Sequence, residues 1–296
     1  MRHGDHRARR LITRRSALSA GLAGLATLGL AGDALTDPPR RAVPLADQVN
    51  VAVEQVYSRA RNQPVEMVTM FPKNVDPRGL QVCLMLHGRF GDARDSAGGL
   101  PAWLTASVAA GRIPPYAFLA VDGGANSYWH RAPGDDPMWM LLDEVPHWLA
   151  QRGLGDRWGQ PFAVSGISMG GFGALLYTRR RREQGHPVDA AGVVSPALLT
   201  SWRQMRKRRA FVDEAAWAEL DPLRHVDALG DVPLGVWCGT DDRFILGTRR
   251  FIARADPEVA STTPGGHNSR YYRKALPQLV DFIGAHLGTG TSTSRR

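Results

Sequence analysis

The sequence predicts an α/β fold, a mostly parallel sheet of about eight strands flanked by helices, and three observations carry that prediction. Eight short apolar or β-branched runs recur along the chain. From the third run onward, segments of helical character separate them, the pattern of βαβ units in a parallel sheet. The first two runs are joined instead by a short polar turn, so the sheet opens with an antiparallel hairpin. The chain has 296 residues, 43% of them hydrophobic, enough for one large core in a single domain. Eight tryptophans and nine phenylalanines argue against disorder.

In chain order, the strands are predicted over residues 51–57, 65–71, 80–86, 117–121, 162–164, 191–194, 234–238 and 259–262, with the hairpin turn at 58–63. The clearest helices are predicted over 138–152, 169–182 and 269–286. Met138, Trp139 and Met140 at the start of the first read as core. Arg179–Arg182 end the second, where cations complement the helix dipole. The two cysteines, Cys83 and Cys238, fall in apolar runs on strands that are not expected to be neighbours, so they read as buried thiols and not as a disulfide.

Outside this domain, placed at 49–288, the chain changes character. Residues 1–32 hold six arginines and one aspartate, five of the nine net positive charges, so the body is only mildly basic. Arg14-Arg15 precede an uncharged run of Ala, Leu, Gly, Ser and Thr from Ser16 to Gly32, which has the form of a twin-arginine export signal. A secreted or cell-envelope location follows, with a membrane anchor as the alternative if the signal is not cleaved. The signal is then the only membrane contact. A Pro-rich linker follows at 33–48, and the tail at 289–296 is rich in Gly, Ser and Thr. With no recognition motif, nucleic acid is not expected as a partner. No His, Cys or carboxylate cluster has metal-ligand spacing, and no metal or cofactor is predicted.

Reactive residue types occur at the carboxyl ends of three predicted strands, where open parallel sheets form their sites. Gly166-Ile167-Ser168-Met169-Gly170 lies between an apolar strand and a Gly- and Ala-rich helix, the strand–turn–helix context of a nucleophile elbow. Asp242 follows the seventh strand, and His267 follows the eighth behind Gly265-Gly266. A serine hydroxyl is too weak an acid to attack an ester unaided. His267 is the candidate base, and Asp242 the candidate acid that orients it, with the adjacent Asp241 as its rival. The order Ser, Asp, His is that of the α/β-hydrolase fold. The backbone N–H groups of Met169 and Arg89 are the candidate oxyanion donors. His87 reads as a loop-orienting residue.

The chain resembles the putative-esterase family of α/β-hydrolases over about residues 50 to 288. That family includes esterase D, secreted feruloyl-type esterases and mycolyltransferases. The resemblance is carried by Leu86-His87-Gly88, Val121-Asp122-Gly123-Gly124, Asp143-Glu144-Val145-Pro146-His147-Trp148-Leu149, Gly166-Ile167-Ser168-Met169-Gly170-Gly171, Gly239-Thr240-Asp241-Asp242 and Gly266-His267. It implies a serine esterase acting through an acyl-Ser168 intermediate on a small-molecule or cell-envelope polysaccharide ester. It also implies that Tyr128 and Trp129, in the loop after Gly123-Gly124, lie near the site and could line a substrate pocket. Acyl transfer to a sugar or glycolipid hydroxyl is the alternative, although mycolyltransferases generally carry Glu where this chain has Asp242. A catalytically silent envelope-binding protein is a second alternative. The Arg203–Arg209 segment lies where such folds insert a lid, and as a solvated helix face it needs no function.

Overall fold

The computed structural model describes residues 50–288. The predicted export signal, linker and tail lie outside the described residues. β1 (Val51–Ser58) and β2 (Gln63–Met70) form the predicted hairpin, whose turn places Asn62 in the left-handed region at φ 52°. The chain continues through β3 (Val82–Leu86), helices α1 (Ala93–Ala97) and α2 (Leu100–Ala109), and β4 (Ala117–Val121). A composite helix follows, made of α3 (Pro137–Trp139), a π turn (Met140–Glu144) and α4 (Val145–Ala150). Then come β5 (Ala163–Ile167), α5 (Met169–Glu183), β6 (Ala190–Val194), α6 (Trp202–Met205) and α7 (Glu214–Leu220). β7 (Leu234–Gly239), α8 (Ile245–Ala255), β8 (Val259–Thr263) and α9 (Ser269–Ala285) complete the described chain.

The strands form one sheet in the order β1-β2-β4-β3-β5-β6-β7-β8. The first two pairings, β1 with β2 and β2 with β4, are antiparallel; the rest are parallel. All five residues of β3 are buried, and their alternation divides them between two apolar layers. Leu84 and Leu86 face the layer that α5 fills with Phe172, Leu175 and Leu176. Cys83 and Met85 face the layer that α9 fills with Leu279, Val280 and Ile283. Each such side chain, fully buried, contributes about 1.5–3 kcal/mol relative to exposure.

Most strand ends fall within two residues of the prediction, and three of the shifts have local reasons. The third strand starts at Val82 and not at 80, because the Leu80 N–H turns back to the Pro77 carbonyl. The fifth runs to Ile167 instead of stopping at 164. It tolerates the polar Ser165 because that buried hydroxyl donates to the Leu84 carbonyl at 3.0 Å. The helix expected over 138–152 is interrupted by the π turn, which ends at Glu144. The Glu144 carboxylate accepts from Ser58 Oγ at 2.5 Å, Arg59 N at 2.7 Å and Ala60 N at 3.1 Å, tying this helix to the hairpin turn. Met138 and Met140 are core as predicted, but Trp139 is half exposed. Trp139 lines a cavity of about 1400 Å³ with Met138, Leu142 and Phe211, away from Ser168. Among the described residues no helix is long and apolar enough to cross a membrane.

Cys83 on β3 and Cys238 on β7 are both buried free thiols, separated in the sheet by β5 and β6. Burial pushes the Cys238 thiol up to about 11 and raises that of Cys83 as well. Both should therefore resist an aromatic disulfide reagent near pH 8 in the native protein and react only after unfolding in guanidinium. Fast reaction of either thiol in the native state would contradict this packing.

Candidate active site

Ser168 joins β5 to α5 with φ 57° and ψ −116°, a backbone conformation that costs a non-glycine residue about 1–3 kcal/mol. Four hydrogen bonds hold it there. The Ser168 N–H donates to the Val194 carbonyl at 3.0 Å, and its own carbonyl accepts from Gly171, Phe172 and Ala197. Small neighbours make the turn possible. A Cβ at Gly166 would collide with the Gly170 carbonyl, and one at Gly170 with the Leu86 carbonyl on the adjacent strand end. Ser168 is left half-buried at the mouth of the sheet.

His267 enters from the loop between β8 and α9, one residue before Asn268, whose side chain caps α9 by accepting from the Tyr271 N–H. Its ring is held edge-on by Phe244 (centroids 4.9 Å apart) and Tyr272 (5.5 Å). Nε2 lies 2.9 Å from Ser168 Oγ, and Nδ1 lies 2.8 Å from Asp242 Oδ2. The other Asp242 oxygen accepts from the Phe244 N–H at 2.8 Å. Burial alone would raise the Asp242 pKa. The His267 and Phe244 hydrogen bonds outweigh it and hold the carboxyl below its ordinary value. Asp242 is therefore a carboxylate at neutral pH, which fixes the Nδ1–H tautomer and leaves Nε2 as the acceptor facing the serine hydroxyl. Asp241 is exposed and does not reach His267. The structure thus brings Ser168, His267 and Asp242 into one hydrogen-bonded chain.

The loop after β3 runs alongside Ser168: a Cβ built on Gly88 would lie 3.5 Å from Ser168 Cβ. Among the described residues, the backbone N–H groups of Arg89 and Met169 donate to no protein acceptor. That is the state expected of the first amide of a helix and of a loop amide turned toward a site. His87 beneath this loop is buried, and burial lowers its pKa. Its Nε2 accepts from the Gly123 N–H at 2.9 Å, so the proton sits on Nδ1 and donates to the Gly88 carbonyl at 2.8 Å. A neutral His87 therefore ties the ends of β3 and β4 together. Asp122 does similar work, accepting from the Glu66 and Ala93 N–H groups.

The loop after β4 corrects the expectation of an aromatic pocket. Trp129 is completely buried, packed where side chains on Gly123 and Gly173 would otherwise stand, with its ring 4.9 Å from that of His87. The Tyr128 ring is also buried, wedged between Phe172 and Phe211 at 5.3 and 5.7 Å. Both residues have positive φ, 48° and 59°. The strain is absorbed by core packing, so the rings support the loop from below instead of lining a cleft. The Arg203–Arg209 segment forms α6, a 3-10 turn and a left-handed Arg209 (φ 55°). Asn126 fastens it to the β4 loop, donating to the Arg208 carbonyl at 2.8 Å while accepting from Arg89 Nε at 2.7 Å.

Phe244, Tyr272 and Arg61 were not anticipated from sequence. Phe244 could have been suspected from its place two residues after Asp242. Arg61 offered no signal, since it sits in what reads as a polar hairpin turn.

The sequence matches the family model described as "Putative esterase" over residues 58–283. No curated protein sequence matches the chain. Among solved structures, a ferulic acid esterase superposes with a TM-score of 0.67 at 20% identity, covering 80% of this chain and 98% of its own. S-formylglutathione hydrolase (FrmB) from Staphylococcus aureus gives 0.61 at 17%, covering 79% and 99%. MPT51 (FbpC1) from Mycobacterium tuberculosis gives 0.60 at 18%, covering 81% and 99%. At these identities the likeness is one of fold.

Arg61 braces the site from behind. It is 6% exposed, forms a two-pronged pair with Asp135 at 2.8 and 2.9 Å, and donates to the Asp122 carbonyl at 2.7 Å. Arg61→Met, which keeps the bulk but strands Asp135 and that carbonyl, should lower unfolding stability by about 2–3 kcal/mol. Urea denaturation checks it; a loss below about 0.5 kcal/mol would mean that the pair is dispensable.

Proposed function

Because the chain belongs to the family described as "Putative esterase", we propose that it is an exported serine hydrolase that cleaves carboxylic esters through an acyl-Ser168 intermediate. The observation that carries this reading is the continuous path from Ser168 Oγ through His267 to Asp242, with contacts of 2.9 and 2.8 Å. The arginine pair and uncharged run within residues 1–32 support the export part of the reading.

The chemistry follows from the geometry. As Ser168 Oγ attacks the ester carbonyl carbon, its proton passes to His267 Nε2 and the carbonyl electrons move onto oxygen. The Met169 and Arg89 N–H groups are free to donate to that oxyanion, a contribution typically worth about 10²–10³ in turnover per donor. The Asp242 carboxylate stabilises the imidazolium. Collapse breaks the bond to the alcohol oxygen, which takes the proton from Nε2 and leaves as the alcohol. Water then attacks the acyl carbon while His267 accepts its proton. The second collapse returns that proton to Ser168 and releases the acid. Edge-on contacts from Phe244 and Tyr272 keep the imidazole aligned through both halves.

A fluorophosphonate probe should label the wild-type protein at Ser168 and fail to label Ser168→Ala. Ester hydrolysis should fall by at least about 10⁴-fold in Ser168→Ala. Absence of labelling would leave a silent binding protein as the better reading, and a sugar ester formed in preference to free acid when a sugar is added would favour acyl transfer. Asp242→Asn should cost about 10⁴-fold in turnover by stabilising the wrong imidazole tautomer, while Asp241→Asn stays near the wild-type rate. The reverse order would move the acid role to Asp241.

A further inference from the structure

We propose that the mouth of this site holds a negatively charged group of the ester, gripped by the guanidinium groups of Arg89, Arg208 and Arg243. The inference rests on the esterase reading and names its substrate class: carboxylic esters whose acyl or alcohol part bears an anionic group, a carboxylate being the simplest.

Three separate loops deliver these cations to one place. Arg89 follows β3, Arg208 lies between β6 and β7, and Arg243 follows Asp242 after β7. The Arg208 and Arg243 guanidinium carbons lie 5.6 and 5.9 Å from the centroid of the Phe244 ring, which itself stands 4.9 Å from the ring of His267. Arg89 follows Gly88, which packs on Ser168, and Asn126 ties its side chain to the Arg208 backbone. Among the described residues none of the three forms an ion pair, whereas the arginines at 61, 94, 152, 179 and 254 do. Arg89 and Arg208 are only half exposed, so their charge is less screened by water than that of a free surface arginine.

Tyr128 belongs to the loop that Asn126 ties to the Arg208 backbone. It is 1% exposed, its backbone is held at a strained φ of 48°, and among the described residues its hydroxyl has no hydrogen-bond partner. Burial raises the pKa of that hydroxyl, and the charges of Arg208, Arg89 and Arg243 act against that rise. Arg89, Arg208 and Arg243 each offer N–H donors to a ligand. Guanidinium groups present planar N–H forks that suit a carboxylate, and such charge-assisted bonds are stronger than neutral ones.

The test uses two pairs of esters. The first compares the para-nitrophenyl half-ester of adipic acid with para-nitrophenyl hexanoate, which puts the charge on the acyl side. The second compares para-acetoxybenzoate with its methyl ester, which puts the charge on the alcohol side. Each rate is normalised to hydroxide-catalysed hydrolysis of the same ester. The anionic member of at least one pair should show kcat/KM at least about tenfold higher, mainly through KM, and the preference should shrink as salt is added. The pair that shows it identifies the side that carries the charge. Arg208→Gln and Arg243→Gln should each reduce the ratio, and the double variant should bring it close to one. Arg243 is exposed, so its variant tests the charge even if Arg208→Gln disturbs folding. Equal or poorer use of the anionic ester in both pairs, or a preference that survives the double variant, would overturn the proposal. Calorimetric binding of the same esters to Ser168→Ala should follow the same order. That readout decides the anion site even if no ester is turned over, an outcome that would sink the esterase reading alone.

Discussion

The close passage of β5 into α5 against the end of β3 is the contact on which the rest of the site depends. Gly166 and Gly170 nearly touch across the turn, and Gly170 lies directly on the Leu86 carbonyl, so no side chain fits at either position. That closeness forces Ser168 into a conformation that L-residues rarely adopt. The strain is offset by the four backbone hydrogen bonds around Ser168 and by the packing of α5 over the sheet. It also leaves the Met169 amide at the head of α5, adjacent to Ser168, without an acceptor among the described residues. The position of the Ser168 hydroxyl and the open Met169 amide are thus two results of one backbone constraint.

A second set of constraints works through buried and half-buried polar groups. His87, Asp122, Glu144 and Arg61 each satisfy backbone amides or carbonyls at the ends of strands and turns, and together they hold the loops after β3 and β4 in fixed positions. In a buried setting an unpaired donor or acceptor costs more than a satisfied one gains, so these residues act mainly by excluding other loop arrangements. The result is a rigid floor beneath Ser168. Above it, Phe244 and Tyr272 flank His267, and Arg208 and Arg243 lie near the Phe244 ring with no ion-pair partner among the described residues.

Much of the fold could be read from the chain. The eight strands were visible because parallel strands buried on both faces appear as short apolar runs, and the hairpin was visible from its polar turn. The errors have physical causes. A serine inside β5 broke the hydrophobic run, although its hydroxyl is satisfied by the neighbouring strand. A π turn interrupted one helix without any sequence mark, and its last residue bonds across 86 positions to the hairpin turn. Tyr128 and Trp129 looked like pocket residues because they sit in a loop at a strand end. Only the glycines at 123 and 173, far apart in sequence, reveal that the space beneath the loop is reserved for Trp129.

By itself the sequence determined the strand count, the strand–turn–helix context of Ser168 and the order Ser, Asp, His, because these rest on local periodicity and on residue types required by close backbone contacts. Tertiary structure alone decided that Asp242 and not Asp241 meets His267, that the brace His87 is neutral, and that Arg208 and Arg243 both reach the ring of Phe244 beside His267. These are distances between segments brought together by the sheet order, and neighbouring residues in a loop can point opposite ways. No one-dimensional pattern encodes which of them faces the site.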